Sequence, residues 1–261
     1  AELNRSLILL RGGKLYVPGS GVIGEIPLAP LSSLIHGIGP DRRQVHNAFR
    51  VSECCGGCRF PALWGHSPRE MRTISLKPNK SLVPKRDHSR AESLWRRAGR
   101  LLIAESIRLQ TYRVVAATTP VRVLSNVWWP VRARRGLLGA REVEDILAAW
   151  LNSTPGLLLL LSCVEVTEGP WVGLKKYHLR NLPVLDLSRL EAGELEELLL
   201  LARDHASSEF EPLPVEFKLG DTRRELDEGI LEVLGLRGDL HELYELLSRD
   251  PTMTGRGLSI S

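Results

Sequence analysis

The sequence predicts an α+β fold, on three observations. Three runs rich in β-branched and aromatic residues, Leu101–Ser106, Tyr112–Ala117 and Val121–Trp129, read as strands. After Ser188, leucines recur at helical spacing beside acids. Between these regions, Asn152-Ser153-Thr154-Pro155 breaks the apolar stretch "AAWLNSTPGLLLLL", as where one helix ends and another begins. A membrane span is excluded for that stretch: it needs about 20 apolar residues, and Leu157 to Val164 holds eight positions, two of them Ser162 and Cys163.

The elements follow in order. Residues 1–50 suggest short strands and turns, since "LILLRGGKLYVPGSG" offers two strand-like runs around Gly12-Gly13, a hairpin signal. Gly19 to Gly24 fits G-x-G-x-x-G, but Pro27 and Pro30 forbid the helix a phosphate loop requires, which leaves a tight turn. From Cys54 to Pro84 the chain reads as loop. A helix from about Ala91 to Arg100 would put Arg96 and Arg100 on one face. Around the break, one helix runs from about Glu142 to Leu151 and a second starts with Ser153 as N-cap and Pro155 in its first turn. The segment "EGPWVGLKKYHLRNLPVLDLSRL" reads as a turn with one or two short strands, leaving Lys175, Lys176 and Tyr177 on a loop. The tail opens on a helix from Ser188, and two capping boxes, Thr222 with Glu225 and Asp239 with Glu242, open further helices. Three regions result: 1–85 strands and loops, 86–187 basic, and 188–261 acidic and helical.

Charge separates the last two. Between Lys85 and Arg135 there are twelve Lys/Arg against three acids, and from Asp186 to Asp250 eighteen acids against seven bases. Arginines outnumber lysines 28 to 7, which favours bidentate contacts with phosphates and guanine edges. Trp95, Tyr112, Trp128 and Trp129 are interleaved with Arg96, Arg97, Arg100, Arg113, Arg122, Arg132, Arg134 and Arg135, a combination suited to nucleic acid, although at least half of these aromatics are expected in the core. The competing explanation for the arginines is the surface of a heat-adapted protein.

Catalytic chemistry is thinly signalled. No Ser/His/Asp ordering or nucleophile elbow is present. Glu216-Phe217-Lys218, with Asp204 upstream, has the E-x-K shape of a metal-dependent nuclease, but Asp204 ends the leucine-rich helix rather than a strand. Cys54, Cys55 and Cys58 supply one C-x-x-C without the second pair of a zinc ribbon. A disulfide, Cys55 to Cys58 or Cys54 to Cys163, is an alternative, and buried free thiols are favoured over both. No metal or cofactor is therefore assigned. No leader or long apolar run points away from the cytoplasm, and a start on Ala1 is expected of a segment of a longer protein.

Six stretches resemble, in order, the carboxyl-terminal half of adenine-specific DNA methyltransferases from restriction-modification systems. They are "IGPDRRQVHNAF" (Ile38 to Phe49), "FPALWGH" (Phe60 to His66), "GRLLIAESIRLQTYRVVAA" (Gly99 to Ala117), "LAAWLNSTPGLLLLL" (Leu147 to Leu161), "GLKKYHLRNLPVLDL" (Gly173 to Leu187) and "RRELDEGILEVLGL" (Arg223 to Leu236). The Asn-Ser junction and the Leu-Pro-Val segment look like the target recognition domain shared with type I specificity subunits. The resemblance implies a mixed β-sheet on which the two helices pack, with the leucines filling the core and Asn152 either capping or bonding across the junction, in preference to a DNA contact. Such enzymes carry an Asn/Asp-Pro-Pro-Tyr/Phe tetrapeptide and a glycine-rich strand end for S-adenosylmethionine, and neither is in this chain. What the resemblance implies is thus a specificity half that binds double-stranded DNA beside a methyltransferase domain or subunit and does not methylate alone. The candidate DNA contacts are Arg96, Arg97, Arg100, Arg113, Arg132, Arg134, Arg135, Lys175, Lys176 and Tyr177, with Arg96 and Arg100 on phosphates and base reading among Arg132, Arg134, Lys175 and Lys176. The alternatives are a nuclease built on Glu216 and Lys218, and an assembly module that docks a partner protein through the leucine face of residues 188–250.

Overall fold

Seven strands form a mixed sheet at the centre of the computed structural model, which describes residues 2–53, 59–65, 67, 70–166 and 171–254. Their order across the sheet is Ile35–Ile38, Trp128–Ala133, Gly99–Ala104, Ala116–Ser125, Pro61–Leu63, Lys80–Pro84 and Phe49–Glu53. The pairs are antiparallel except that Leu124 and Ser125 run parallel to Ala62 and Leu63. Leu101, Leu102, Ile103 and Ala104 are all buried. Because successive side chains point to opposite faces, this strand is covered on both sides, hence its unbroken apolar sequence.

The helix Ala140–Asn152 packs across the central strands, and the helix Thr154–Leu161 follows at once. The junction forms as its chemistry predicts. Ser153 Oγ accepts from Gly156 N at 3.2 Å and donates to Trp150 O at 2.6 Å, with Pro155 in the first turn. Asn152 is fully buried and fully used: Oδ1 accepts from Val115 N (2.8 Å), and Nδ2 donates to Ala116 O (2.6 Å) and Ala148 O (2.8 Å). The polar break therefore fastens the helix end to the start of the strand Ala116–Ser125.

The tail is built into the same core. Its helices are Ala192–Asp204, Leu213–Leu219, Thr222–Val233 and His241–Arg249, and one hydrophobic cluster runs from Leu10 through the sheet and the junction to Met253. Leu195, Leu198 and Leu199 are buried there, against the helix Ala140–Asn152. This corrects the expectation that the leucine face docks a partner, since the chain's own core occupies it. A smaller cluster of Val45, Phe49, Phe60, Leu82, Leu94 and Leu124, among others, fills the far end of the sheet.

A buried polar network joins tail to junction. Arg223 donates to the carbonyls of Asn152 and, at 3.1 Å, Arg113, while its guanidinium lies 5.4 Å from the Phe210 ring centre and 5.7 Å from that of Phe217. Asp227 accepts from Thr154 N (2.7 Å), capping the second junction helix, and from Tyr244 OH (2.7 Å). Burial pushes the Asp227 carboxyl up to about 6, against the pull of these donors and of Arg223. A folded-state pKa above the ordinary 3.8 favours the fold fully below about pH 4, and that contribution is lost as pH rises through about 6. Urea titrations should accordingly show the wild-type stability falling from pH 4 to pH 7 relative to Asp227→Asn. Parallel pH profiles for the two proteins would contradict this.

Several local expectations are corrected. Residues Glu2–Arg11 form a helix rather than a strand, ended by Gly13 at φ 83°; the first hairpin is Lys14–Val17 with Gly21–Glu25, turning at Gly19 and Gly21. Of the Gly19–Gly24 run, read as a tight turn, only Gly19 and Ser20 lie in a turn, and Gly21 onward belongs to the strand Gly21–Glu25. The basic helix is His88–Trp95, capped by Asp87, so Arg100 lies on a strand and does not share a helical face with Arg96. Arg113 precedes the strand Ala116–Ser125 instead of lying on it, and Lys176 and Tyr177 belong to a short helix, Lys176–Arg180. The helices at Thr222 and His241 form, but without the expected boxes: Thr222 Oγ1 donates to Glu209 O, and Asp239 accepts from His241 N. Cys163 is a half-buried free thiol, and Cys54, Cys55 and Cys58 lie outside the described residues. Among the described residues no helix is long and apolar enough to cross a membrane.

Candidate nucleic-acid interface

The interface begins at an irregularity in the sheet. Thr118 pairs with Leu101 but the next paired residue, Val123, meets Gly99, so Thr119–Arg122 stand opposite Arg100 alone. Pro120 has no N–H for the ladder, which suits it to a bulge. The bulge is braced from within: Thr119 Oγ1 donates to Val121 O (2.7 Å), and Arg100 Nε donates to Thr119 O (2.7 Å). The Arg100 guanidinium continues to Glu144 (3.0 Å) and Asp145 (2.8 Å) on the helix Ala140–Asn152. Glu144 also accepts from Ala133 N at 3.2 Å. Its burial raises its pKa, opposed by that bond and by Arg100.

Beside the bulge lies an open cleft of about 1240 Å³. It is walled by the bulge, the segment Arg132–Arg135, the start of the helix at Ala140 and Arg141, and His36, Arg59 and Lys77. Eight cationic side chains line it against one acid, Glu144, which Arg100 already pairs. Arg59 is paired with Glu92. Arg132 and Arg134 each use one donor on a backbone carbonyl, of Arg96 (3.0 Å) and Ile35 (2.7 Å), which fixes their direction and leaves other N–H groups available. Lys77, Arg122, Arg135 and Arg141 are exposed, and their side chains make no hydrogen bond or ion pair among the described residues. Four like charges held together without counter-charges create a field that attracts a polyanion.

The remaining candidates are placed elsewhere. Arg96 is exposed at the end of the basic helix. Arg97 reaches Ile38 O at 3.5 Å. Lys176 stands 4.8 Å over the ring of Trp129, whose Nε1 donates to Leu174 O; burial and the Arg97 charge lower its pKa. Lys175 and Tyr177 are exposed beside it and do not line the cleft. Two candidates are corrected: Arg100 is taken up by the brace, and Arg113 bonds Phe210 O and Glu211 (both 2.8 Å), tying sheet to tail. Among the interleaved aromatics, Tyr112, Trp128 and Trp129 are buried and serve the core rather than base stacking, while half-buried Trp95 packs on Phe60 and lines the cleft. Sequence reading left Lys77, Arg122 and Arg141 off the list of contacts, although Pro120 inside a strand-like run signals the bulge that carries Arg122.

The nuclease pattern is taken apart by the same geometry. Glu216 is buried on a helix and accepts from Glu211 N (2.5 Å) and Arg223 N (3.3 Å), while Lys218 points outward. Among the described residues no group of three or more His, Cys, Asp or Glu is placed to hold a metal ion.

This fold and cleft define a basic surface on a mixed sheet. No family model and no curated protein matches the sequence. Among solved structures, the fold is similar to that of the type IIG restriction endonuclease BpuSI, with a TM-score of 0.50 and 12% identity. The likeness covers 97% of this chain and 34% of that protein, so the chain spans about a third of its length.

Proposed function

We propose that the chain is a sequence-specific double-stranded DNA recognition module of a restriction-modification system, aiming a methyltransferase domain or subunit and not transferring methyl groups alone. The observation that carries this reading is the cleft with four cations, Lys77, Arg122, Arg135 and Arg141, that have no partner among the described residues. A heat-adapted surface gains from arginines in ion-pair networks, whereas these four form no ion pair among the described residues. The ordered resemblance to methyltransferase recognition domains and the fold similarity to a restriction endonuclease support the same reading. In it, Arg132, Arg134 and Arg135 meet the duplex in the cleft, and Arg96, Arg97, Lys175, Lys176 and Tyr177 touch flanking backbone.

Binding to duplex DNA should weaken steeply with salt, since each phosphate neutralised releases about 0.9 counterion. The triple variant Lys77→Ala, Arg135→Ala, Arg141→Ala should lose affinity for all duplexes alike and reduce the log–log salt slope by about 3. A flat salt titration of the wild type, or a triple variant with an unchanged slope, would overturn the proposal.

A further inference from the structure

Resting on that reading, we infer that the bulge is a base-reading element, with Arg122 recognising a guanine and Val121 the methyl group of an adjacent thymine in the major groove. Three features of the bulge lead here. It forms part of the cleft wall, and Pro120, Val121 and Arg122 are its exposed residues. It is preorganised, because Thr119 and the Arg100–Glu144–Asp145 brace hold its backbone before any ligand arrives. It also pairs two chemistries that phosphate binding does not require. Val121 is 46% exposed in a cleft whose lining mixes cations with apolar groups such as Pro61, Pro78 and Trp95, and its side chain contributes nothing to holding an anion. Among the described residues, Arg122 is neither aimed by a carbonyl, as Arg132 and Arg134 are, nor paired with an acid.

The major groove matches this pair. It displays guanine O6 and N7 to a guanidinium fork and the thymine methyl as its apolar feature, and at about 12 Å it is wide enough for a two-stranded ribbon. Phosphates lie on both sides of it, where the cations on the neighbouring elements would meet them. Arg122 differs from Lys77 and Arg141 in kind: it stands on the braced bulge, and they stand on the elements around it.

The experiment is selection from a randomised duplex pool with the 261-residue chain, in parallel with Arg122→Lys, Val121→Ser and Arg141→Ala, after melting curves confirm that each is folded. The wild type is expected to enrich a motif containing guanine beside thymine. Arg122→Lys keeps the charge but not the fork, so it should keep the salt slope and lose preference at the guanine alone, by about 10- to 100-fold. Val121→Ser should relax the thymine, and Arg141→Ala should weaken all sequences alike. A motif unchanged in Arg122→Lys and Val121→Ser, or uniform losses in both, would overturn this inference and leave the proposed function standing. No motif with the wild type would overturn both.

Discussion

Replacing Arg223 by methionine is expected to cost about 3–5 kcal/mol of folding stability, because it breaks a buried charged network from one side. The guanidinium is buried among Phe210 and Phe217, and burial alone lowers its pKa, with Glu216, Asp227 and Tyr244 opposing that shift. Methionine fills much of the volume but leaves the carbonyls of Asn152 and Arg113 without their donor and Asp227 without its nearby positive charge. The loss should appear as a lower urea midpoint with an unchanged slope. A change under about 1 kcal/mol would show that the tail is held by its leucines alone. Arg223→Lys should recover little, since one ammonium cannot reach two separate carbonyls in the guanidinium's geometry.

Gly156→Ala is expected to be at least as damaging, more than about 4 kcal/mol, and to leave the chain largely unfolded. An added Cβ would lie 1.8 Å from Trp150 O and 2.7 Å from Trp150 C. Both are backbone atoms, and Trp150 O already accepts from Ser153 Oγ, so relief requires opening the junction. Gly193→Ala, in the first turn of a tail helix with nothing within 4 Å of the new atom, supplies the control and should be neutral or slightly stabilising. Equal midpoints for the two variants would refute the close-approach argument.

These effects converge on a place the sequence announces. Ser153, Pro155 and the polar Asn152 act on neighbours a few residues away, so the helix break was legible from chemistry that is local. The same holds for the α+β class and the acidic helices. The run "SLILL" was not legible in the same way, because a short apolar stretch suits a strand or a buried helix equally, and Gly13 ends a helix where it could have turned a hairpin. The candidate site was half legible. Density of arginine marks the stretch from which Arg132, Arg134 and Arg135 line one cleft. Arg100 and Arg113 look like their neighbours in sequence, yet their partners, Glu144 and Glu211, are 44 and 98 residues away. Only the fold shows that their charge is already spent. Lys77 reaches the cleft because Leu76 N donates to Thr118 O beside the bulge, a long-range contact that no local pattern records.

The pairing of Leu28, Ala29 and Pro30 with Leu185, Val184 and Pro183, and of Ile38 with Val131, has a consequence for how the molecule is made. An early strand must wait for a partner synthesised much later, so the core cannot close while the chain is still emerging from the ribosome. Contacts of such long range fold slowly, because the entropy of closing the loop is spent before any burial repays it. During that interval the five consecutive leucines, Leu157–Leu161, have left the ribosome ahead of the tail helices that pack nearby. Yield in a heterologous host should therefore improve with slower synthesis, lower temperature or added chaperone, and shortening the chain before Met253 should send it to the insoluble fraction.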